Sequence, residues 1–343
     1  MRKLLNTLFV TTQGAVLVRE REAIVVRVEK EEKLKIPIHL LNGVICFGNV
    51  TLTPFCMGLC AENNVLISFL TEYGNFMARV CGKVNGNVLL RKAQYFKSDN
   101  LEESAVIAGR IVTSKIANCR TLLLRTSRDH PSADTDVEMA FVAQTLGNII
   151  QGLKSGFDLD SVRGKEGEGA LRYFSIFNHL IVAQKNDFVF SGRSRRPPLD
   201  RVNALISFLY TLLVHDVSSA CEAVGLDPAV GFLHRDRPGR PSLALDMMEE
   251  FRAMVADRVA LTLINRKQVK ADDFRTLESG AVVMSDDAKK TVLNAWQERK
   301  REEIHHPYLN ERVEVGMLPY VQALLLARHL RGDIDDYPAF IWR

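Results

Sequence analysis

Residues 95–118 read YFKSDNLEESAVIAGRIVTSKIAN, and within them the chain changes character. From residue 101 to 125, Val106, Ile107, Arg110, Ile111, Ser114, Lys115 and Asn118 recur at helical spacing. Upstream, residues rich in Val, Ile, Phe and Thr come instead in short runs at 8–18, 23–28, 44–47, 65–69 and 76–80. Turn signals separate those runs: Gln13-Gly14, Asn42-Gly43, Glu62-Asn63-Asn64, Tyr73-Gly74-Asn75 and Asn85-Gly86-Asn87. One short helix is expected at about 53–62. Downstream, helical patterns continue through 136–155, 167–177, 199–224, 243–264, 286–303 and 313–330. The reading is an α+β chain: a small β-rich domain over 1–92, a larger all-α domain over 100–343, and a joint near 92–100.

The length of 343 residues leaves room for two domains, and 47% hydrophobic with 25% charged residues is ordinary for a soluble globular protein. Such a chain buries a core without disulfide or metal staples. A net charge of +4, from 45 basic and 41 acidic residues, is too mild to argue nucleic-acid binding, so the clustering of the basic residues decides. Cys46, Cys56, Cys60, Cys81, Cys119 and Cys221 form no CxxC pair and have no His at zinc-finger spacing. Structural zinc is not expected, and scattered thiols suit a reducing cytoplasm. The N-terminal apolar run is short and broken by Thr11, Thr12 and Gln13, unlike a signal peptide. No apolar run is read as a membrane span, so a cytoplasmic protein is expected.

Two stretches read as loops. Residues 189–198, VFSGRSRRPP, hold Arg193, Arg195 and Arg196; residues 232–241, FLHRDRPGRP, hold Arg235, Arg237 and Arg240 beside His234. Either loop alone reads first as ordinary exposed surface. Two of them flanking the same helices favour a surface that binds phosphates.

The acidic residues lie between and beyond these loops. Pro238, Gly239 and Pro241 stop any helix before Ser242, which reads as the N-cap of a helix from Leu243. On it Leu243, Met247, Phe251, Met254 and Val255 form an apolar stripe, and Asp246 and Glu249 stand three residues apart. Two like charges there cost energy unless a cation lies between them, although the helix dipole offsets part of that cost. As a bare pattern the pair is a solvated helix face. An imidazole, His234, on the loop entering that helix adds metal-ligand chemistry. A second candidate is Gly164-Lys165-Glu166-Gly167-Glu168-Gly169, whose alternate glycines let the backbone approach a ligand closely and let a helix pack tightly, with Glu166 at its mouth. From spacing alone a flexible, charged glycine-rich turn is the favoured reading. Tyr173 lies two helical turns further on the same face.

Three segments, GKEGEGALRYF (164–174), RSRRPPLDRVNALISFLYTLL (193–213) and GFLHRDRPGRPSLALDMMEEFR (231–252), resemble the integrase subunit of CRISPR adaptation, the Cas one family. Glu166 falls at the family's Glu in E-G-x-x-A-x-x-Y-F, His234 at the end of its G-x-L-H, and Glu249 at the final acid of its S-L-x-x-D-x-x-E. Asp246 and Tyr173 match the neighbouring acid and aromatic, and Asn203, Ser207 and Tyr210 the N-A-L-x-S-x-x-Y helix. The resemblance runs end to end, and TTQGAVL (11–17) and YPAFIWR (337–343) look most like subtype I-C.

That resemblance implies an N-terminal β-domain that dimerises and a helical catalytic domain. It implies Glu166, His234 and Glu249 as ligands of Mn²⁺ or Mg²⁺, with Asp246 orienting a ligand or the attacking hydroxyl. Tyr173 would stack on a base or position a phosphate, or simply fill a helix interface. The arginines would contact DNA, both protospacer and repeat. The implied partners are a second copy of the chain, the small ferredoxin-like Cas two protein and an iron–sulfur end-trimming nuclease. The reaction implied is transesterification of a repeat phosphodiester by a DNA 3′-hydroxyl. Two other readings stand beside it: a non-catalytic DNA-binding scaffold, and a metal-dependent hydrolase of a small phosphoester.

Overall fold

Short β-branched runs near the N-terminus pair into two four-stranded sheets in the computed structural model, which describes residues 6–72, 76–80, 82, 88–153 and 158–342. The strands are β1 (Asn6–Val10), β2 (Val16–Glu20), β3 (Ala23–Val28), β4 (Glu31–Pro37), β5 (Leu41–Phe47), β6 (Thr51–Leu52), β7 (Leu66–Leu70) and β8 (Phe76–Val80). One sheet has the order β1-β5-β7-β8 and the other β4-β3-β2-β6. The central pairs β1–β5 and β5–β7 are parallel, which suits their near-continuous apolar sequences. Helix α1 (Pro54–Glu62) is capped by Thr53, whose hydroxyl accepts from the amide of Cys56, and it adds Cys56, Leu59 and Cys60 to the core of Leu17, Ile24, Val44, Cys46 and Ile67.

The run at 8–18 is two strands in different sheets, separated at Gly14, whose φ of +74° no β-branched residue adopts readily. β4 was not legible because all but one of its residues are exposed: it is a charged edge strand, EEKLKIP, carrying no apolar run. The expected turns at Tyr73-Gly74-Asn75 and Asn85-Gly86-Asn87 lie outside the described residues.

The chain divides into two units, Met1–Gly86 and Asn87–Arg343. Residues 92–100, expected as a joint, belong to the second unit: α2 (Val88–Asp99) runs through most of them, and Asn100 caps α3 (Leu101–Asp129) by accepting from the amides of Glu102 and Glu103. Helices α4 (Ala133–Gly152), α5 (Leu159–Ser175), α6 (Arg201–Val224), α7 (Ser242–Met248), α8 (Arg258–Asn265), α9 (Asp286–Arg301) and α10 (Leu318–Arg331) follow. The end of the pattern read at 136–155 passes outside the described residues. α6 is long and apolar enough to cross a membrane by composition, contrary to expectation, but 67% of its most apolar window is buried within the protein, as in a core helix.

Three corrections bear on the site. The second unit is not all-α: hairpins β9 (Phe274–Thr276) with β10 (Val282–Met284), and β11 (Glu303–His306) with β12 (Glu311–Glu314), interrupt it. Strands of three or four residues are too short to show a period, and Val313 was absorbed into the helical pattern beyond it. The glycine-rich segment at 164–169 is no turn, because Asp158 caps α5 earlier by accepting from the amide of Ser161 at 2.9 Å. Its Gly169 lets α5 approach α3, since a Cβ there would lie 2.9 Å from Cγ1 of Ile116. Finally, the helix expected over 243–264 breaks after Met248 and resumes through a π-helical segment, Arg252–Asp257.

Residues 337–342 lie across α3 and that break, their backbone satisfied largely by side chains. Asn118 donates to the carbonyls of Phe340 (2.9 Å) and Glu250 (2.7 Å) and accepts from the amide of Trp342 (2.7 Å). Glu250 accepts from the Tyr337 hydroxyl and the Phe340 amide, both at 2.6 Å. Asn118→Leu would remove the side-chain partner of the Glu250 carbonyl and of the Trp342 amide, while the Phe340 carbonyl keeps the Ser114 hydroxyl, so it should cost at least about 2 kcal/mol at roughly 1–3 kcal/mol per orphaned group. Urea unfolding checks this; a loss below about 1 kcal/mol would contradict the role given to Asn118.

Candidate functional site

Lysine seldom sits on the buried stripe of a helix, yet α3 places Lys115 there, between Ile111 and Asn118, with its side chain 6% exposed. Its ammonium contacts Glu166 of α5 and lies 2.8 Å from Oε2 of Glu249, just beyond α7. Oε1 of Glu249 is 2.8 Å from Arg252, one turn on in the π-helical segment. Glu249 is 2% exposed. Burial alone would raise its pKa; Arg252, Lys115 and His234 outweigh that and hold it at about 2. Burial likewise works against the charge on Lys115, but Glu249 and Glu166 raise its pKa above the ordinary lysine value. A buried charge is tolerated only where it is paired this closely. The acidic pair Asp246 and Glu249 is therefore not a solvated face.

Asp246 is wholly buried and serves the loop before it. Its Oδ2 accepts from the amides of Phe232 (2.6 Å) and Leu233 (2.9 Å), and its Oδ1 from the amide of His234 (2.9 Å). Nδ1 of His234 is 2.6 Å from Oδ1. A carboxylate that already accepts from amides places the proton on Nδ1, which leaves the Nε2 lone pair for a ligand. The approach depends on Gly231, where a Cβ would lie 2.6 Å from Oδ2 of Asp246 and 2.8 Å from the Ser242 carbonyl carbon. Ser242, expected as an N-cap, makes no capping bond; it is the first residue of α7, and its hydroxyl instead donates to the carbonyl of Arg235.

Behind Glu249 lies a second buried group. Asp257 accepts from the hydroxyls of Tyr173 (3.0 Å) and Tyr210 (2.8 Å). Burial lifts its pKa to about 6, and the two tyrosine bonds offset only part of that. The guanidinium of Arg252 stacks 4.7 Å from the centre of the Tyr210 ring, and that of Arg193 lies 5.3 Å from the same ring. Arg193 also donates to Asn203 Oδ1 at 2.6 Å and to the Ser207 hydroxyl. Two expectations change here. Tyr173, 1% exposed, cannot stack on a base and instead holds Asp257; Arg193 is turned inward to brace α6.

The remaining arginines stay on the surface, and the two loops meet. The pKa of Arg240 is lowered by partial burial and then by the charge of Arg237, against Asp246, with Arg195 and Arg196 adding to the lowering, so the four guanidinium groups lie near enough to feel one another. Arg235 is exposed and stands 3.5 Å from Asp160.

Among the described residues, no three His, Cys, Asp or Glu side chains stand close enough to hold a metal ion as placed, because the Lys115 ammonium lies between two of the carboxylates. The donor set nevertheless fits one. Oε2 of Glu249, though near that ammonium, is buried without an aligned hydrogen bond, and His234 is fixed with one nitrogen bare. Glu166, His234 and Glu249 are the residues that would hold a divalent cation, and two carboxylates with an imidazole suit Mn²⁺ as well as Mg²⁺. Lys115, Arg252 and Asp257 were absent from the sequence reading as site residues. The available signal was a charge at a stripe position of α3.

Asp257 gives a pH dependence whose sign follows from its raised pKa. Its protonated form is favoured in the folded state, so that contribution is complete below the ordinary 3.8 and is lost as pH rises through about 6. At about 1.4 kcal/mol per pH unit this is about 3 kcal/mol. Between pH 3.5 and 7, wild-type stability should therefore fall relative to Asp257→Asn by about that amount. Parallel stability curves for the two proteins in urea would refute it.

The family model described as CRISPR associated protein Cas1 matches residues 8–298. The CRISPR-associated endonuclease Cas1 1 of Chlorobaculum tepidum is 52% identical over 343 residues, covering 100% of both chains. Among solved structures, a casposase bound to integration product shares the fold with a TM-score of 0.83 at 21% identity, over 98% of this chain and 94% of that one. A chain of a Cas6-RT-Cas1–Cas2 complex does so with a TM-score of 0.82 at 22% identity, over 100% of this chain and 36% of that one. By the span of the family match and the identity to a full-length relative, the chain belongs to the Cas1 family of CRISPR-associated proteins.

Proposed function

We propose that this protein is the integrase of CRISPR adaptation and a metal-dependent DNA endonuclease, joining foreign DNA fragments to the repeat array by transesterification. The observation that carries the reading is the buried Glu249 carboxylate, facing Glu166 across a single ammonium and neighboured by a histidine whose tautomer Asp246 fixes. Structural ion pairs need no such histidine. When bound, a divalent ion supplies Lewis-acid polarisation of the scissile phosphoryl group. The chain's own contribution is positioning. Asp246 orients His234, Arg252 and Lys115 keep Glu249 ionised, and Asp257 with Tyr210 holds Arg252 in place.

The DNA would lie on the patch of Arg195, Arg196, Arg237 and Arg240, with Arg235 at its margin. Contacts from these arginines to phosphates would carry no base information, as an enzyme that accepts arbitrary fragments requires. The partners proposed are a second copy of the chain, a Cas2 protein as in the complex that shares this fold, and an iron–sulfur end-trimming nuclease. Subtype I-C is proposed on the segments TTQGAVL and YPAFIWR. A small-phosphoester hydrolase remains the alternative that a metal site alone would allow.

In a joining assay on repeat-containing DNA with Mn²⁺, His234→Ala and Glu249→Ala should each lose at least about a hundredfold in rate while the folded state persists, since a lost second-shell partner alone costs 10–100-fold. Near-wild-type joining by either would remove that residue from the site. Changing Arg195, Arg196, Arg237 and Arg240 to alanine should flatten the plot of log affinity against log salt by roughly one unit per lost phosphate contact. An unchanged slope would favour the small substrate.

A further inference from the structure

The charges of the ion-paired groups at Glu249 already balance. Two carboxylates, Glu166 and Glu249, face two cations, Lys115 and Arg252, and three of these four side chains are largely buried. A dication placed on the same two carboxylates would stand beside the ammonium at low dielectric, which is costly unless a cation leaves or anions arrive. The two resident cations are not equivalent. Arg252 is stacked on the Tyr210 ring and bonded to Glu249 within its own turn. Lys115 instead sits at the end of a flexible four-carbon stem, and both of the carboxylates it touches are ones that would hold the ion. Ammonium and metal thus ask for the same oxygens, and Glu249 Oε2, near the ammonium but without an aligned hydrogen bond, is where they collide.

We propose that Lys115 is an internal counter-cation that competes with the divalent ion for Glu166 and Glu249, so that the ion loads together with the phosphates of DNA rather than before them. The proposal rests on the metal-site reading above. In the absence of DNA the ammonium keeps the two carboxylates preassembled and the site weak for metal. Backbone phosphates brought by the arginine patch supply the negative charge that lets the dication enter. A protein so built would hold little nuclease-competent metal until a substrate is in place.

The test is calorimetry of Mn²⁺ binding to the full chain, with and without a DNA duplex of arbitrary sequence, a duplex-only titration being subtracted. The wild type should bind Mn²⁺ at least about tenfold more tightly with duplex, a coupling of ordinary size for linked sites. Lys115→Met and Lys115→Gln should bind Mn²⁺ without duplex at least about tenfold more tightly than the wild type, losing most of that linkage. Lys115→Arg, which keeps the charge, should resemble the wild type. Melting curves guard against misfolding: the neutral variants should melt lower without metal and recover with Mn²⁺. Equal or weaker Mn²⁺ binding by folded Lys115→Met and Lys115→Gln overturns the proposal. So does a wild-type affinity indifferent to DNA, a result that needs no substitution. No Mn²⁺ bound by any of these proteins, with or without duplex, would instead sink the metal site itself and the proposal with it. Binding by Lys115→Met that survives a further Glu249→Ala change would do the same.

Discussion

A carboxylate removed from water stays ionised only where cations or hydrogen-bond donors meet it, and for Glu249 the helical unit supplies two cations. One cation comes from α3, which is why a lysine occupies its buried stripe. The other comes from Arg252, three residues on, at the start of the π-helical segment that follows the break after Met248. A π turn is a rare irregularity that tends to mark functional positions, and the non-helical turn just before it holds two adjacent acids with opposite duties. Glu249 faces Lys115 and Arg252, whereas Glu250 faces Gln322, Tyr337 and the backbone of residue 340. Burial pushes Glu250 up to about 7, while its neighbour is held at about 2. Cations, not depth, make the difference.

Support for the site extends outward in layers that share members. Asp246 orders the loop carrying His234, and Gly231 permits that approach. Tyr210 links Asp257 to Arg252, and Arg193 ties the same ring to Asn203 and Ser207 of α6. Gly169 lets α5 lie close on α3, the two helices that carry Glu166 and Lys115. Because these contacts share residues, substitutions among them will not be additive.

Much of this was legible from residue types and spacing. The change of character near residue 100, the short N-terminal strands and α1 follow from period and turn chemistry. Glu166 and Glu249, named from the sequence, meet at the Lys115 ammonium, whereas His234 is held by Asp246. What period could not reveal is whether an acidic face is wet. Asp246 and Glu249 look the same in sequence whether solvated or buried, and only the partners from α3 and the π-helical segment decide. The glycines of α5 left two readings open, since a glycine kept for close packing resembles one kept for a turn, and Gly169 against Ile116 shows the former. Edge strand β4 and the two short hairpins carry too few apolar residues to announce themselves. Arg193 was assigned to DNA by type, but a guanidinium can brace a helix as well as grip a phosphate; for Tyr173 the burial favours the helix-interface reading over the contact with DNA.

The claim beneath all of this is that Glu249 is kept ionised in the interior to hold a divalent cation, not merely to anchor α3. Anomalous diffraction at the manganese edge, from crystals of the protein with a DNA duplex and Mn²⁺, addresses it directly. The account predicts a manganese peak bounded by the carboxylates of Glu166 and Glu249 and by Nε2 of His234, with Nδ1 of His234 still on Asp246. A manganese peak elsewhere, or none while Lys115 still joins Glu166 to Glu249 beneath bound DNA, would contradict it.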